Sequence, residues 1–179
     1  MACTLKHIRN SASNCTESFS GVGTRVYVAF VEQLAAQYDY SDDLAGFAPE
    51  SFKFKDETMG WYELDIKKKS GKVTSESNGQ GKGFSNVLTF VLNNNMDDMA
   101  LISRSINNVD TLWAVADGKG NYYVIYDSNF APEVAISADT GDAPDSDSGF
   151  TVTVTGNPMR YPLAKWTPTE GKPTLAPEN

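Results

Sequence analysis

The pattern of apolar and polar positions in the middle of the chain predicts a strand, a helix and a hairpin in succession. Phe84 to Leu92 is an apolar run rich in β-branched and aromatic residues, as in a strand. Asn95 to Ile106 has helical spacing that places Met99, Ile102 and Ile106 on one face. Leu112 to Tyr126 forms two strands around a glycine-containing turn. We expect the rest of the chain to be arranged around this unit.

The predicted hairpin is apolar or aromatic on both of its faces. Both alternating sets of side chains have this character in residues 112–116 and again in residues 122–126. Strands of this kind are covered on both sides. One cover could be the helix. The other is a second sheet or a neighbouring subunit, and the pattern does not decide between them.

Other stretches alternate as shorter strands do. Trp61 to Ile66 predicts a half-buried strand, with Tyr62, Leu64 and Ile66 on one face and Trp61, Glu63 and Asp65 on the other. Glu32 to Gly46 fits either a short helix or a loop. Four further strands are predicted, the last ending at Gly156-Asn157-Pro158: Thr24 to Val31, Val73 to Ser77, Pro132 to Ala138 and Thr151 to Thr155.

These elements make up one β-rich domain. The chain has 179 residues and 40% hydrophobic content, enough for one ordinary core. Residues 1–23 are polar and read as an N-terminal arm, and residues 24–166 form the domain. Residues 167–179 contain three prolines and few large apolar residues, so we expect a loosely held, flexible C-terminal tail.

Charge narrows the classes of function. The net charge is −8 and the sequence pI is about 4.6, which argues against a protein that holds nucleic acid through its phosphates. No apolar run reaches transmembrane length, and the first residues show no hydrophobic signal region. We therefore expect a protein that is made and folded in a cytoplasm.

No metal or cofactor site is expected. Cys3, His7 and Cys15 match no usual zinc spacing and lack a fourth ligand, so they are read as thiols and a histidine of the arm. The glycines of Gly79 to Gly83 precede a strand and not a helix, unlike a phosphate-binding loop. Asp145 to Gly149 matches a calcium loop only in part, and a solvated acidic loop is the simpler interpretation.

The sequence also predicts that the protein is not an enzyme. The single histidine lies in the arm, so no serine or cysteine nucleophile has a base beside it, and no pair among the 23 acidic residues stands out. Trp61, Trp113 and Trp166 would form a sugar-binding platform if they shared an exposed face. A carbohydrate-binding β-sandwich module is therefore kept as an alternative, although Trp113 lies in a strand expected to be buried.

Two stretches resemble a known family. They are Asn14-Cys15 followed by Gly21-Val22-Gly23-Thr24-Arg25-Val26-Tyr27-Val28, and Asp145-Ser146-Asp147-Ser148-Gly149-Phe150-Thr151-Val152-Thr153-Val154-Thr155-Gly156. In this arrangement the chain resembles the major tail tube proteins of long-tailed bacteriophages, particularly phages of Bacteroidetes-type hosts. The resemblance implies a mainly β fold, a β-sandwich or barrel with one flanking α-helix. It also implies a virion protein without catalytic residues.

The resemblance further implies partners and a location. Such subunits form rings, expected to be hexameric, that stack into a tail tube with other tail proteins, and DNA passes through the acidic channel without specific binding. The tube is assembled in the cytoplasm of the bacterial host. A different ring protein of the tail end or of the head–tail joint is the closer alternative.

A charged contact between subunits is predicted from two clusters. The lysine-rich stretch from Lys67 to Lys72 is taken as a turn leading into the next strand, and a solvated hairpin end is its plainer interpretation. If subunits associate, these lysines are expected to meet acidic residues of a neighbour. The residues of the predicted interface are Lys67, Lys68, Lys69 and Lys72, with Asp139, Asp142, Asp145 and Asp147.

Overall fold

The computed structural model describes residues 22–41, 43–92, 96–117, 121–139 and 149–177. The described chain contains two mainly antiparallel sheets and one α-helix, so the prediction of a mainly β fold is confirmed. The strands are β1 (Val22–Phe30), β2 (Gly46–Phe47), β3 (Tyr62–Asp65), β4 (Lys72–Ser77), β5 (Phe84–Leu92), β6 (Thr111–Asp117), β7 (Tyr122–Ile125), β8 (Glu133–Asp139), β9 (Gly149–Met159) and β10 (Lys165–Trp166), and α1 spans Met96–Ile106.

The strands divide into a six-stranded and a four-stranded sheet. The six-stranded sheet has the order β2-β10-β7-β6-β1-β3, and the four-stranded sheet has the order β4-β5-β9-β8. Side chains from the facing surfaces of both sheets form an inner core, in which Phe90 of β5 contacts Trp113 of β6 with ring centroids 5.8 Å apart. Ile102 and Ile106 of α1 add to this core. The predicted apolar face of the helix is thus confirmed for these two residues.

The hairpin of β6 and β7 is covered on both faces, as its pattern predicts. Its inner face belongs to the inner core through Trp113, Val115 and Ile125. Its outer face belongs to a second core, which loops of the same chain complete. The loops contribute Leu34, Phe52 and Ala164, and the short strands β2 and β10 contribute Phe47 and Trp166. A neighbouring subunit is not needed as the second cover, so the two apolar faces no longer argue for self-association.

The second core also corrects the prediction for β3. A half-buried strand would bury only one of its two faces, yet Trp61 and Glu63 are buried as well as Tyr62, Leu64 and Ile66 on the opposite face, and Trp61 is buried completely. The side chain of Trp61 is covered by Phe52 and Trp166, whose ring centroids lie 5.8 Å and 5.6 Å away. The alternation of apolar and polar residues in the sequence indicates only one buried face here, because the segments that cover the other face come from distant parts of the chain.

The C-terminal segment is attached to the domain, so the prediction of a loosely held tail is wrong for its described part. Trp61 N donates to Thr174 O at 2.9 Å, and Ala176 N donates to Trp61 O at 3.0 Å. Ala176 is 4% exposed and belongs to the inner core. Few apolar residues are needed to hold this segment because its backbone hydrogen bonds with the edge of the sheet.

Several predicted turns and strand ends also differ in the structure. The stretch from Lys67 to Lys72 does not turn a hairpin, because β3 pairs with β1 in one sheet while β4 pairs with β5 in the other. The actual hairpin joins β4 to β5 through the glycine-rich turn, where Gly79, Gly81 and Gly83 have positive φ. β9 continues beyond Gly156 to Met159. Residues 31–33 form a short 3-10 helix and lead into a loop.

Candidate subunit-contact surface

The lysine-rich connection between the sheets forms a turn that is fastened to β5. We call Lys67–Ser70 the basic turn. Lys67 N donates to Val91 O at 2.7 Å, and Ser70 Oγ donates to Lys67 O at 2.7 Å. Ser70 Oγ also accepts from Val91 N at 3.1 Å. These bonds fix the position of the turn at one end of the four-stranded sheet.

Three lysines of the basic turn surround a shallow concavity of about 300 Å³. Its other lining residues are Ser70, Val91, Gly149 and Thr151, so no acidic side chain of the described chain lines it. Lys68 and Lys69 are exposed. A concentration of positive charge in a chain of net charge −8 attracts carboxylates over distances up to about 10 Å at moderate ionic strength.

The predicted acidic partner begins at the same end of the same sheet. Asp139 of β8 pairs with Gly149 of β9, and Gly149 lines the concavity of the basic turn. Asp139 is two strands away from β5, a separation of about 10 Å at ordinary strand spacing. The acidic segment therefore starts close to these lysines within one chain. Asp142, Asp145 and Asp147 lie outside the described residues, as do Cys3, His7, Cys15 and the partial calcium motif up to Ser148.

A second candidate contact surface is the side of the four-stranded sheet that faces away from the inner core. We call it the outer β face, and its centre consists of side chains from β5 and β9 that belong to neither buried core. All six are half-buried and uncharged, and they are threonine or valine: Val87, Thr89, Val91, Thr151, Thr153 and Thr155. An uncharged surface lets two negatively charged molecules approach without desolvating carboxylates.

Charge on the outer β face is confined to its two edge strands. β4 carries Lys72 and Glu76, and β8 carries Glu133. Lys72 is paired with Thr89 on β5, Thr89 is paired with Thr153 on β9, and Thr153 is paired with Ala135 on β8, so the four residues form one row across the sheet. Lys72 thus lies at the edge of this face and apart from the concavity of the other three lysines. Within the described chain, β4 and β8 each have one unpaired edge, and such edges are available to another strand.

One edge of the six-stranded sheet is protected by charge instead. Arg25 contacts Glu63 and Asp65 of the edge strand β3, with N–O distances of 3.5 Å and 3.7 Å. Burial raises the pKa of the Tyr27 phenol, and the Glu63 charge raises it further. Inward-pointing and paired charges of this kind discourage a foreign strand from adding to an edge. Association through β3 is therefore less favourable than association through the four-stranded sheet.

The tryptophans do not form a sugar-binding platform. Trp61 and Trp113 are 0% exposed and Trp166 is 3% exposed, so none presents its ring to solvent.

Among the described residues, no three His, Cys, Asp or Glu side chains come together as they would around a metal ion. The described helix is too short and too polar to span a membrane.

Comparisons with known proteins return no relative. No family model, no curated protein and no solved structure matches the chain. The residues of the outer β face could have been found from the sequence, because threonine alternates with valine along residues 151–155, and valine or threonine alternates with leucine or phenylalanine along residues 87–92. Their pairing on one surface required the order of the strands.

Proposed function

We propose that this protein is a major tail tube subunit of a long-tailed bacteriophage, whose copies form stacked rings around a DNA-conducting channel. The observation that carries the proposal furthest beyond the resemblance is the outer β face. It joins an uncharged centre to two open strand edges in a chain whose net charge is −8. The two-sheet architecture with one described helix is compatible with the fold that the resemblance implies.

The acidic composition also fits a conduit. DNA slides most freely past a surface that repels its phosphates, because a basic surface would bind and retain them. The basic turn should then lie away from the channel, where its lysines meet carboxylates. Since the acidic segment begins beside the turn in the same chain, this contact is either between subunits or within one, and the two cases predict different effects of mutation.

Association is tested by light scattering and electron microscopy of the purified protein over a range of protein and salt concentrations. We expect rings or tubes at high protein concentration. A single ring that never stacks would favour the tail-end or head–tail joining protein. A chain that remains monomeric under all conditions would contradict both assignments.

The outer β face is tested by a charge at its centre. Thr153→Asp places a carboxylate between Thr89 and Ala135, and Thr153→Val is the matched control of similar size without charge. Burying an unpaired carboxylate at an interface costs several kcal/mol, so the Asp variant should fail to assemble while circular dichroism shows a folded subunit. Assembly of Thr153→Asp at the wild-type concentration would exclude this face as the contact.

The basic turn is tested by the triple variant K67E/K68E/K69E. A control with the same charge change, K53E/K82E/K172E, alters exposed lysines elsewhere. If the turn binds a neighbouring subunit, only the first variant should weaken association, with an effect that salt diminishes. If it binds the acidic segment of its own chain, the first variant should instead lower the melting temperature and leave the assembly of the folded subunit intact.

A further inference from the structure

The turn between β4 and β5 contains a chemically labile dipeptide, Asn78-Gly79. It is the one place in the sequence where glycine follows asparagine. Asparagine is among the thermolabile residues of proteins, because the backbone nitrogen of the next residue can attack its side-chain carbonyl carbon. Glycine in that next position favours the attack, since it has no Cβ and adopts a wide range of backbone conformations. Of the asparagines in this chain, Asn78 therefore meets the least steric hindrance to the reaction.

The structure leaves the glycine side of this dipeptide open to solvent. Gly79 is exposed, its φ is +106°, and a Cβ built on it would meet no atom within 4 Å. Water therefore reaches the peptide unit between the two residues. The other asparagine of these two strands differs, because Asn86 is only 1% exposed and is followed by Val87.

The amide side of the dipeptide is held by hydrogen bonds. Asn78 Nδ2 donates to Asn157 Oδ1 of β9 at 2.7 Å and to Lys82 O at 3.4 Å. The backbone of the turn is also fixed, since Lys82 N donates to Gly79 O at 3.1 Å. Gly79 N itself donates to Ser77 Oγ at 3.2 Å. In the folded chain the side-chain amide and the backbone nitrogen that would attack it are thus both engaged with other groups.

We propose that Asn78 is a deamidation site, and that its hydrogen bond to Asn157 slows the reaction in the folded protein. In the first step Gly79 N forms a bond to Asn78 Cγ and the Cγ–Nδ2 bond breaks. The proton of Gly79 N passes through solvent to the departing nitrogen, which leaves as ammonia, and a cyclic imide remains. Water then adds to one of the two imide carbonyl carbons and breaks its C–N bond, which leaves aspartate or isoaspartate. No oxidant or reductant takes part.

The bond to Asn157 opposes the first step because ring closure requires movement of the side chain. Reacting atoms start from a contact of about 3 Å or more, so Asn78 Cγ must move by more than about 1 Å to reach bonding distance from Gly79 N. A side chain whose Nδ2 stays 2.7 Å from Asn157 Oδ1 is not free to make that movement. The bond must therefore break first, and one neutral hydrogen bond of about 1 kcal/mol corresponds to about fivefold in rate.

Deamidation would weaken the end of the four-stranded sheet. Aspartate would place a carboxylate opposite Asn157 Oδ1, where the folded chain now has a donor. Isoaspartate would add a carbon atom to the backbone of the turn that keeps Ser77 paired with Phe84. Because β4 is an edge strand of the outer β face, either product would alter a candidate contact surface. The reaction itself does not depend on the proposed tail tube function.

The test keeps the folded full chain at mildly alkaline pH and follows tryptic peptides by mass spectrometry. Cleavage after Lys72 and Lys82 releases a peptide in which Asn78 is the single asparagine. In the wild type we expect the mass increase of amide-to-acid conversion at Asn78, with Asn86 unchanged. Asn157→Ala removes the acceptor and should speed the conversion about fivefold. Asn157→Asp keeps an accepting oxygen and should convert at the wild-type rate.

A remote control and three outcomes decide the inference. Asn129→Ala removes an exposed amide from the loop between β7 and β8 and should leave the rate unchanged. Equal rates in the wild type and Asn157→Ala would show that the bond gives no protection. An Asn157→Asp rate as high as that of Asn157→Ala would show that the accepting oxygen is not what protects Asn78. No conversion in any folded variant, while the chain unfolded in guanidinium converts, would show that the folded turn prevents ring closure and that Asn78 is not a deamidation site.

Discussion

Replacing Gly60 with alanine is expected to push the C-terminal segment away from Trp61. A Cβ at this position would lie 2.4 Å from Ala176 N and 2.7 Å from the Leu175 carbonyl carbon. Both neighbours are backbone atoms, which cannot rotate out of the way. The segment must therefore move by about 1 Å to reach an ordinary contact distance of about 3.5 Å.

The cost follows from what that movement breaks. Trp61 exchanges two backbone hydrogen bonds with the segment, at 2.9 Å with Thr174 and at 3.0 Å with Ala176. Each contributes about 1 kcal/mol to the free energy of unfolding. Partial loss of the apolar cover from Leu175 and Ala176 adds about 1 kcal/mol. The total of about 3 kcal/mol corresponds to a decrease in Tm of roughly 6–12 °C for a domain of this size.

Thermal and urea unfolding, followed by tryptophan fluorescence, measures this cost. Gly23→Ala is the matched control, because a Cβ there would lie 3.6 Å from its nearest neighbour, the Ala116 carbonyl oxygen. The two variants share the change in backbone entropy and differ in the steric clash. A Gly60→Ala variant whose Tm lies within about 2 °C of the control would refute the reasoning, and would mean that the segment is held as loosely as its composition predicts.

Two further predictions concern the helix and the buried tyrosines. Ile102→Ala should lower the free energy of unfolding by about 2–4 kcal/mol, because Ile102 is 6% exposed and belongs to the inner core. Leu101→Ala, at an exposed residue of the same helix, should change it by less than about 0.5 kcal/mol. Urea unfolding of both variants measures the difference. Burial raises the pKa of four tyrosine phenols above the ordinary value of about 10, those of Tyr27, Tyr40, Tyr122 and Tyr126. As the pH rises above about 10, these phenols lose their protons in the unfolded chain before they do so in the folded chain, so the free energy of unfolding should fall. Ultraviolet absorbance of tyrosinate should show part of the eight tyrosines ionising only on unfolding, and ionisation of all eight near pH 10 in a folded protein would contradict this.

The candidate surfaces depended on both levels of information. The lysine cluster is visible in the sequence as a run from Lys67 to Lys72, but only the bonds to Val91 place three of its members around one concavity. Lys72 lies on the adjacent strand and faces another surface. The groove of about 560 Å³ between residues 49–57 and residues 168–174 gave no signal in the sequence, because its walls are more than 100 residues apart in the chain.

Local pattern determined most elements of this protein. Repeats of two residues and of about 3.6 residues identify strands and helices from neighbouring positions alone, and they gave β5, α1, the β6–β7 hairpin, β8 and most of β9. They also gave the burial of the hairpin on both faces. Each of these properties depends on side chains close together in the sequence.

Tertiary structure alone decided which strands became neighbours and what covered the six-stranded sheet. β3 and β4 are adjacent in the sequence yet belong to different sheets, and Trp61 is buried by residues from distant loops and by the C-terminal segment. Strand pairing and the docking of irregular segments depend on contacts between remote residues, whose closure entropy and packing no local pattern records. For that reason the alternating pattern predicts burial of only one face of the strand that contains Trp61, and composition predicts a loose C-terminal tail. In the folded chain Trp61 is fully buried, and the C-terminal segment is hydrogen-bonded to its backbone.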